Sequence, residues 1–148
     1  MIFQGEYFNT IDAKGRASIP VAFRERLKSF CNDEQLVVTK NRERGLTAYP
    51  RSAWEQSLKQ IQEMPASQKK TDLMRAIVVP AKELGFDAQG RIPLPGPLRE
   101  FAGLEKDVVV IGLGDKIEIY NRAQYQATID KSMGTLDEDP DYMAGLGL

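Results

Sequence analysis

The chain has 148 residues, 42% of them hydrophobic, and a formal net charge of −1, which fits one ordinary domain or two half-sized units sharing a core. No run of about 18 apolar residues marks a membrane span. The opening Met1-Ile2-Phe3-Gln4-Gly5-Glu6 lacks the basic start and apolar stretch of a secretory signal, so a soluble, cytoplasmic protein is expected. With no histidine and a single cysteine, Cys31, the commonest general base, an internal disulfide and a thiol-rich zinc site are all excluded. No enzyme, cofactor, metal site or small-molecule substrate is therefore expected.

Tyr7-Phe8-Asn9-Thr10-Ile11 is aromatic and β-branched and predicts a strand. Asp12 can then accept hydrogen bonds from backbone N–H groups ahead of it, and Gly15 supplies the positive φ that closes a tight turn. Arg16 emerges at the start of the return strand Ala17-Ser18-Ile19. Pro20 opens a short helix whose Phe23 and Leu27 lie on its buried side. A hairpin follows, Gln35–Lys40 and Leu46–Tyr49, across a polar turn ending in Gly45. Ser52-Ala53-Trp54-Glu55 has the spacing of a capping box, and Trp54, Leu58 and Ile61 form an apolar stripe until Met64-Pro65 stops the helix. A second helical stretch runs from Ser67 to Val79.

The pattern then starts again. Ile11-Asp12-Ala13-Lys14-Gly15-Arg16 through Arg24-Glu25 aligns with Phe86-Asp87-Ala88-Gln89-Gly90-Arg91 through Arg99-Glu100 at a constant spacing of 75 residues. After a small deletion, Val108-Val109-Val110 and Ile117-Glu118-Ile119-Tyr120 match the first hairpin, and Trp54 finds its counterpart in Tyr125. Gly112-Leu113-Gly114 reads as a hairpin turn rather than a phosphate loop, because the third glycine is missing. Asn121 can cap a helix carrying Tyr125, Ile129 and Met133, and Gly134 to Leu148, rich in Gly and Asp, reads as a mobile acidic tail.

One unit alone buries too little to be stable and leaves strand edges open. The expected fold is therefore α+β, mainly β with short helices, in which two tandem β-α-β-β units intertwine about a pseudo-two-fold axis. The units are placed at 6–53 and 82–125, with a helical connector at 54–81 and the helix end and tail at 126–148. Charge is uneven along this plan: residues 1–51 carry a net +3, residues 52–80 a net +1 and residues 81–148 a net −5. A local cationic face is thus compatible with an acidic whole.

The opening Phe3-x-Gly5-Glu6-Tyr7, the Asp12-Ala13-Lys14-Gly15-Arg16 loop with Ser18-Ile19-Pro20 behind it, and the second loop Asp87-Ala88-Gln89-Gly90-Arg91 together resemble the MraZ family, from Met1 to about Met133. The resemblance implies tandem units similar to the AbrB/SpoVT-like swapped-hairpin barrel. It also implies a nucleoid-associated bacterial transcriptional regulator that binds short direct repeats of double-stranded DNA at the promoter of the division and cell-wall gene cluster. Family members assemble into closed rings, and their DNA-contacting elements carry over to Asp12 to Arg16 and Asp87 to Arg91. Gln4 stands where many members have arginine. Gln89 stands opposite Lys14 and leaves the second loop one cation short, so affinity is expected to be weaker or to rest on the first copy.

In a single loop, an arginine paired with its own aspartate is the plainer reading of Arg16 or Arg91. Repetition favours function, since a planar guanidinium fork on a narrow tip can grip phosphate or read guanine. Arg16, Arg91 and Lys14 are the DNA-binding candidates, with Arg24 weaker and Arg26 and Lys28 secondary. Asp12, Gly15, Asp87 and Gly90 shape and orient the loops. Trp54, Phe23, Phe86 and Tyr49 read as core or interface residues. The competing function is a ring-forming protein-interaction or antitoxin-like module, and a carboxylate-only hydrolase or transferase ranks last.

Overall fold

A computed structural model describes residues 2–148. The first copy contains β1 (Phe3–Thr10), β2 (Arg16–Ser18), helix α1 (Val21–Cys31), β3 (Gln35–Lys40), β4 (Leu46–Pro50) and helix α2 (Arg51–Glu63). A connector helix α3 (Gln68–Leu73) continues into a π-helical turn at Met74–Val78. The second copy repeats the order as β5 (Lys82–Gly85), β6 (Arg91–Pro93), α4 (Gly96–Ala102), β7 (Asp107–Gly114), β8 (Ile117–Asn121) and α5 (Arg122–Asp137), with a short α6 (Pro140–Ala144) after it.

Six strands form an antiparallel sheet in the order β1-β7-β8-β4-β3-β5, and β2 pairs with β6 in a separate two-stranded ribbon. Exchanging the copies leaves the sheet order unchanged. Each copy gives its first strand to the hairpin of the other: β1 pairs with β7 from Phe3↔Gly114 to Thr10↔Asp107, and β5 pairs with β3 from Gln35↔Gly85 to Val38↔Lys82. The pseudo-two-fold axis passes between β4 and β8, where the repeat mates Thr47 and Glu118 face each other, and through the ribbon, where Ala17 faces its mate Ile92. This is the intertwined α+β arrangement expected from the repeat, and it fits the swapped-hairpin module that the resemblance implied.

The hydrophobic pattern explains why the halves cannot part. Val108 and Val110 point into the main core, while Val109 points to the other face, where Tyr120 and Tyr125 cover it. A strand buried on both faces reads as a continuous apolar run. Phe23 of α1 is fully buried and meets Phe3 and Tyr7 of β1 edge to face, with ring centroids 5.7 Å and 5.2 Å apart, an arrangement that aligns ring edges with ring faces. Trp54 lies 5.5 Å from Tyr49 and pins α2 to β4.

Four local expectations are corrected. The first strand begins at Phe3 rather than Tyr7, because β7 offers it eight partners. Gly112, Leu113 and Gly114 all belong to β7, which ends at Gly114 with a φ of 80°, and the turn lies at Asp115-Lys116; a Cβ at Gly112 would stand 2.5 Å from the Gln4 nitrogen, so glycine lets β1 approach. Ser52 does not cap α2. That helix starts two residues earlier than a Ser52 cap would place it, at Arg51 with Pro50 at the N-cap position, and Asp33 Oδ2 accepts from the Arg51 N–H at 2.9 Å. Finally, the segment read as a mobile tail is helical: α5 runs on to Asp137, and Asp139 caps α6 by accepting from the Tyr142 N–H.

Candidate nucleic-acid interface

The two Asp-x-x-Gly-Arg loops are built alike and sit on the β2–β6 ribbon. In the first, Asp12 Oδ1 accepts from the backbone N–H of Lys14 and of Arg16, both at 2.9 Å, and the Gly15 N–H returns to the Asp12 carbonyl at 3.0 Å. In the second, Asp87 Oδ1 accepts from Gln89 and Arg91 at the same 2.9 Å, and the Gly90 N–H returns to the Asp87 carbonyl. Gly15 and Gly90 have φ of 79° and 75°, the left-handed region where glycine is at ease. The loops are also stitched across the axis, Ile19 N–H to the Gly90 carbonyl and Leu94 N–H to the Gly15 carbonyl.

The ribbon register places Arg16 opposite Pro93 and Arg91 opposite Ser18, and so brings the two arginines together. Arg16 Nε donates to Asp12 Oδ2 at 2.7 Å, and Arg91 Nε donates to Asp87 Oδ2 at 2.9 Å. Arg91 reaches further: its Nη1 donates to Asp12 Oδ2 at 3.1 Å, and its Nη2 donates to Gln89 Oε1. Among the described residues, the Nη groups of Arg16 meet no acceptor. The side chains of Arg16 and Arg91 are 33% and 22% exposed.

The backbone N–H of Arg16 is the largest influence holding the Asp12 carboxyl below its ordinary value, with the Arg16 side chain and the Lys14 N–H adding to it against some desolvation. The Arg91 N–H does the same for Asp87. Both aspartates are thus ionised braces.

Arg24 has a structural role at the opposite loop. Its Nε donates to the Ile19 carbonyl at 3.2 Å, and its guanidinium lies directly on Gly90, where an added Cβ would meet Cζ at 2.2 Å. The mirror contact belongs to Arg99, which donates to the Leu94 carbonyl at 2.9 Å and lies on Gly15, 2.7 Å from the place of a Cβ. Arg99 was not among the sequence candidates, yet it stands at the repeat spacing from Arg24 and could have been found that way.

Lys14 is exposed at the tip of the first loop. Arg26 stacks over Phe30 at 5.6 Å on the outer side of α1, and Lys28 lines an open cleft of about 740 Å³ with Arg24, Arg51 and Asp87; neither approaches the ribbon as Arg24 does. Gln4 lies on β1 opposite Leu113, outside the loops. Three carboxylates line the cleft, Asp33, Glu34 and Asp87, and two of them are already engaged. Asp33 Oδ1 accepts from Glu34 and Gln35, its Oδ2 accepts from Arg51, and Asp87 is bound within its loop. Phe86 is half-buried against the core, and no aromatic side chain is displayed on the ribbon.

The ribbon therefore gathers Arg16, Arg91, Arg24, Arg99 and Lys14 against Asp12 and Asp87, a local positive excess on an acidic chain. A narrow cationic ribbon suits a polyanion, with guanidinium forks able to pair with phosphate oxygens or a guanine edge.

Comparison with known proteins gives this geometry a lineage. Residues 2–76 and 77–144 each match a family profile described as "MraZ protein, putative antitoxin-like". The chain is 48% identical over 128 residues to Transcriptional regulator MraZ of Syntrophotalea carbinolica, covering 84% of this chain and 85% of that one. It is 37% identical over 147 residues to the protein of the same name from Lachnoclostridium phytofermentans, covering 99% of both, and 36% identical over 149 residues to that of Nitrosomonas europaea, covering 99% of this chain and all of the other. No helix among the described residues is long and apolar enough to cross a membrane. With both halves of the repeat matched and relatives aligned from end to end, the chain belongs to the MraZ family.

Proposed function

We propose that this protein is a DNA-binding transcriptional regulator. It grips promoter DNA through the Asp12–Arg16 and Asp87–Arg91 loops, and the promoter elements are short repeats ahead of division and cell-wall genes. The observation that carries it is the convergence of Arg16 and Arg91, with Arg24 and Arg99 behind them, on one narrow ribbon at the pseudo-two-fold axis. Lys14 supplies a further phosphate contact. The units 6–53 and 82–125 each contribute one loop, and a ring of protomers, formed in the cytoplasm and associated with the nucleoid, lines several pairs of loops along the duplex. Linked weak contacts multiply through effective concentration, so recognition of spaced repeats with little affinity for a single one follows.

Phosphate contacts release counterions and make binding steeply salt-dependent, whereas arginine contacts to base edges give the preference for sequence. Fluorescence-anisotropy titration against the DNA upstream of the protein's own coding region, and against a scrambled duplex, at two salt concentrations tests this directly. Tight, salt-sensitive binding that the double substitution Arg16→Ala with Arg91→Ala removes, in a protein whose oligomer is unchanged by light scattering, is the expected result. Equal binding of both duplexes by an intact oligomer, indifferent to the double substitution, transfers the function to a protein partner, the role that the family description's antitoxin-like wording points toward.

A further inference from the structure

The two loops share a backbone but not the state of their arginines. An arginine has five N–H donors, and a bidentate grip uses either Nε with one Nη or the two Nη groups; once an aspartate holds Nε, the Nη pair is the grip that remains. Arg16 spends only its Nε, on Asp12. Arg91 spends Nε on Asp87, Nη1 on Asp12 and Nη2 on Gln89. The position of Gln89 in the first loop is taken by Lys14, whose side chain accepts nothing.

Resting on the loop reading above, we propose that Gln89 is an intramolecular latch which makes the two loops of each protomer unequal. Gln89 Oε1 occupies the Nη2 edge of Arg91 where a phosphate oxygen or a guanine acceptor would bind. Arg16 is the working fork, and Arg91 is chiefly a cross-link that fixes the first loop by holding Asp12. DNA gains Arg91 only by displacing a hydrogen bond already made, so affinity and sequence preference rest on the first loop.

The test is a titration of the full-length protein against its own upstream duplex with four variants: Gln89→Ala, Arg16→Ala, Arg91→Ala and the pair Gln89→Ala with Arg91→Ala. One neutral–charged hydrogen bond is at stake in the latch, so Gln89→Ala is expected to tighten binding about three- to tenfold. Arg16→Ala is expected to weaken it about tenfold or more, Arg91→Ala clearly less, and the gain from Gln89→Ala should vanish when Arg91 is absent. A second readout needs no DNA. In 15N NMR of the free protein, the guanidinium of Arg91 should rotate and exchange slowly while that of Arg16 is averaged, and Gln89→Ala should move Arg91 toward Arg16.

Unchanged or weaker binding by Gln89→Ala, with Arg16→Ala still defective, overturns the latch alone. Equal guanidinium mobility in the wild type does the same. An Arg16→Ala protein that binds like the wild type overturns the loop reading, and the latch with it.

Discussion

Asp12 Oδ2 receives both Arg16 Nε, at 2.7 Å, and Arg91 Nη1, at 3.1 Å, so one carboxylate of the first loop holds the arginines of both. Asp87 holds only its own. The pseudo-symmetric aspartates therefore have different consequences when lost. Asp12→Asn is expected to lower Tm and loosen DNA binding more than Asp87→Asn, because it releases two guanidinium groups rather than one. Parallel thermal melts and anisotropy titrations of the two variants decide it, and equal losses would contradict the shared-brace geometry.

Gly15→Ala tests the turn and the arginine resting on it. The φ of 79° costs an alanine about 1–2 kcal/mol, and its Cβ would stand 2.7 Å from the Arg99 guanidinium. The expected outcome is a destabilisation of about that size, measured by urea denaturation. Adding Arg99→Ala should relieve the contact but not the backbone strain, so only part of the loss should return.

Helix α2 supplies a contrast between two candidate caps. Asp33→Ala removes the carboxylate that accepts from the Arg51 N–H and should cost about 1 kcal/mol, the usual worth of an N-cap side chain. Ser52→Ala, which removes the side chain that sequence spacing favours, should stay within about 0.5 kcal/mol, as exposed substitutions do. Denaturant midpoints of the two variants provide the comparison.

The carboxylates predict opposite pH dependences. Asp12 and Asp87 titrate below their ordinary 3.8 in the folded protein, chiefly because backbone N–H groups favour the charged form. Their stabilisation is complete above that value and is lost as pH falls through the lowered native one. Glu118 lies on the pseudo-axis, where burial pushes its carboxyl above the ordinary 4.5 against the help of the Tyr120 hydroxyl and Lys116. Its charged form is disfavoured by folding, so stability is highest below 4.5 and declines as pH rises through the raised value. Glu118→Gln should therefore raise Tm at pH 8 and not at pH 4, while leaving DNA affinity unchanged. Melting curves of the variant and the parent at the two pH values provide the measurement. The absence of histidine predicts, in addition, flat DNA binding from roughly pH 6 to 8.

Much of the loop architecture could be read from the chain because it is local: Asp12, Gly15 and Arg16 lie within five residues, and the second copy repeats them. The intertwining of the two copies followed from stability, since an isolated unit would leave strand edges open; that the first strands are the elements exchanged came from the structure. The cap on α2 was not legible, because Asp33 reaches it across a hairpin and nothing in the local spacing records that. The end of α5 was missed for a related reason: Gly134 and the surrounding acidic residues carry no apolar stripe, and a largely exposed helix leaves little trace in a hydrophobic pattern. The unequal donors of Arg16 and Arg91 needed three dimensions, since the Asp12–Arg91 contact spans 79 positions.

The exchange of β1 and β5 also sets a timetable for biosynthesis. β1 is made well before its partners at Asp107–Gly114, with the rest of the first copy and the connector in between. Until they are made the segment around Phe3, Tyr7 and Phe8 has no hairpin to join, whereas the β3 edge waits only for β5 at Lys82–Gly85. Contacts of such long sequence separation slow folding, and strand edges left unpaired in the meantime are exposed to aggregation. A chain stalled shortly before Asp107 should thus leave β1 open to protease, although the strands β3, β4 and β5 have already been made.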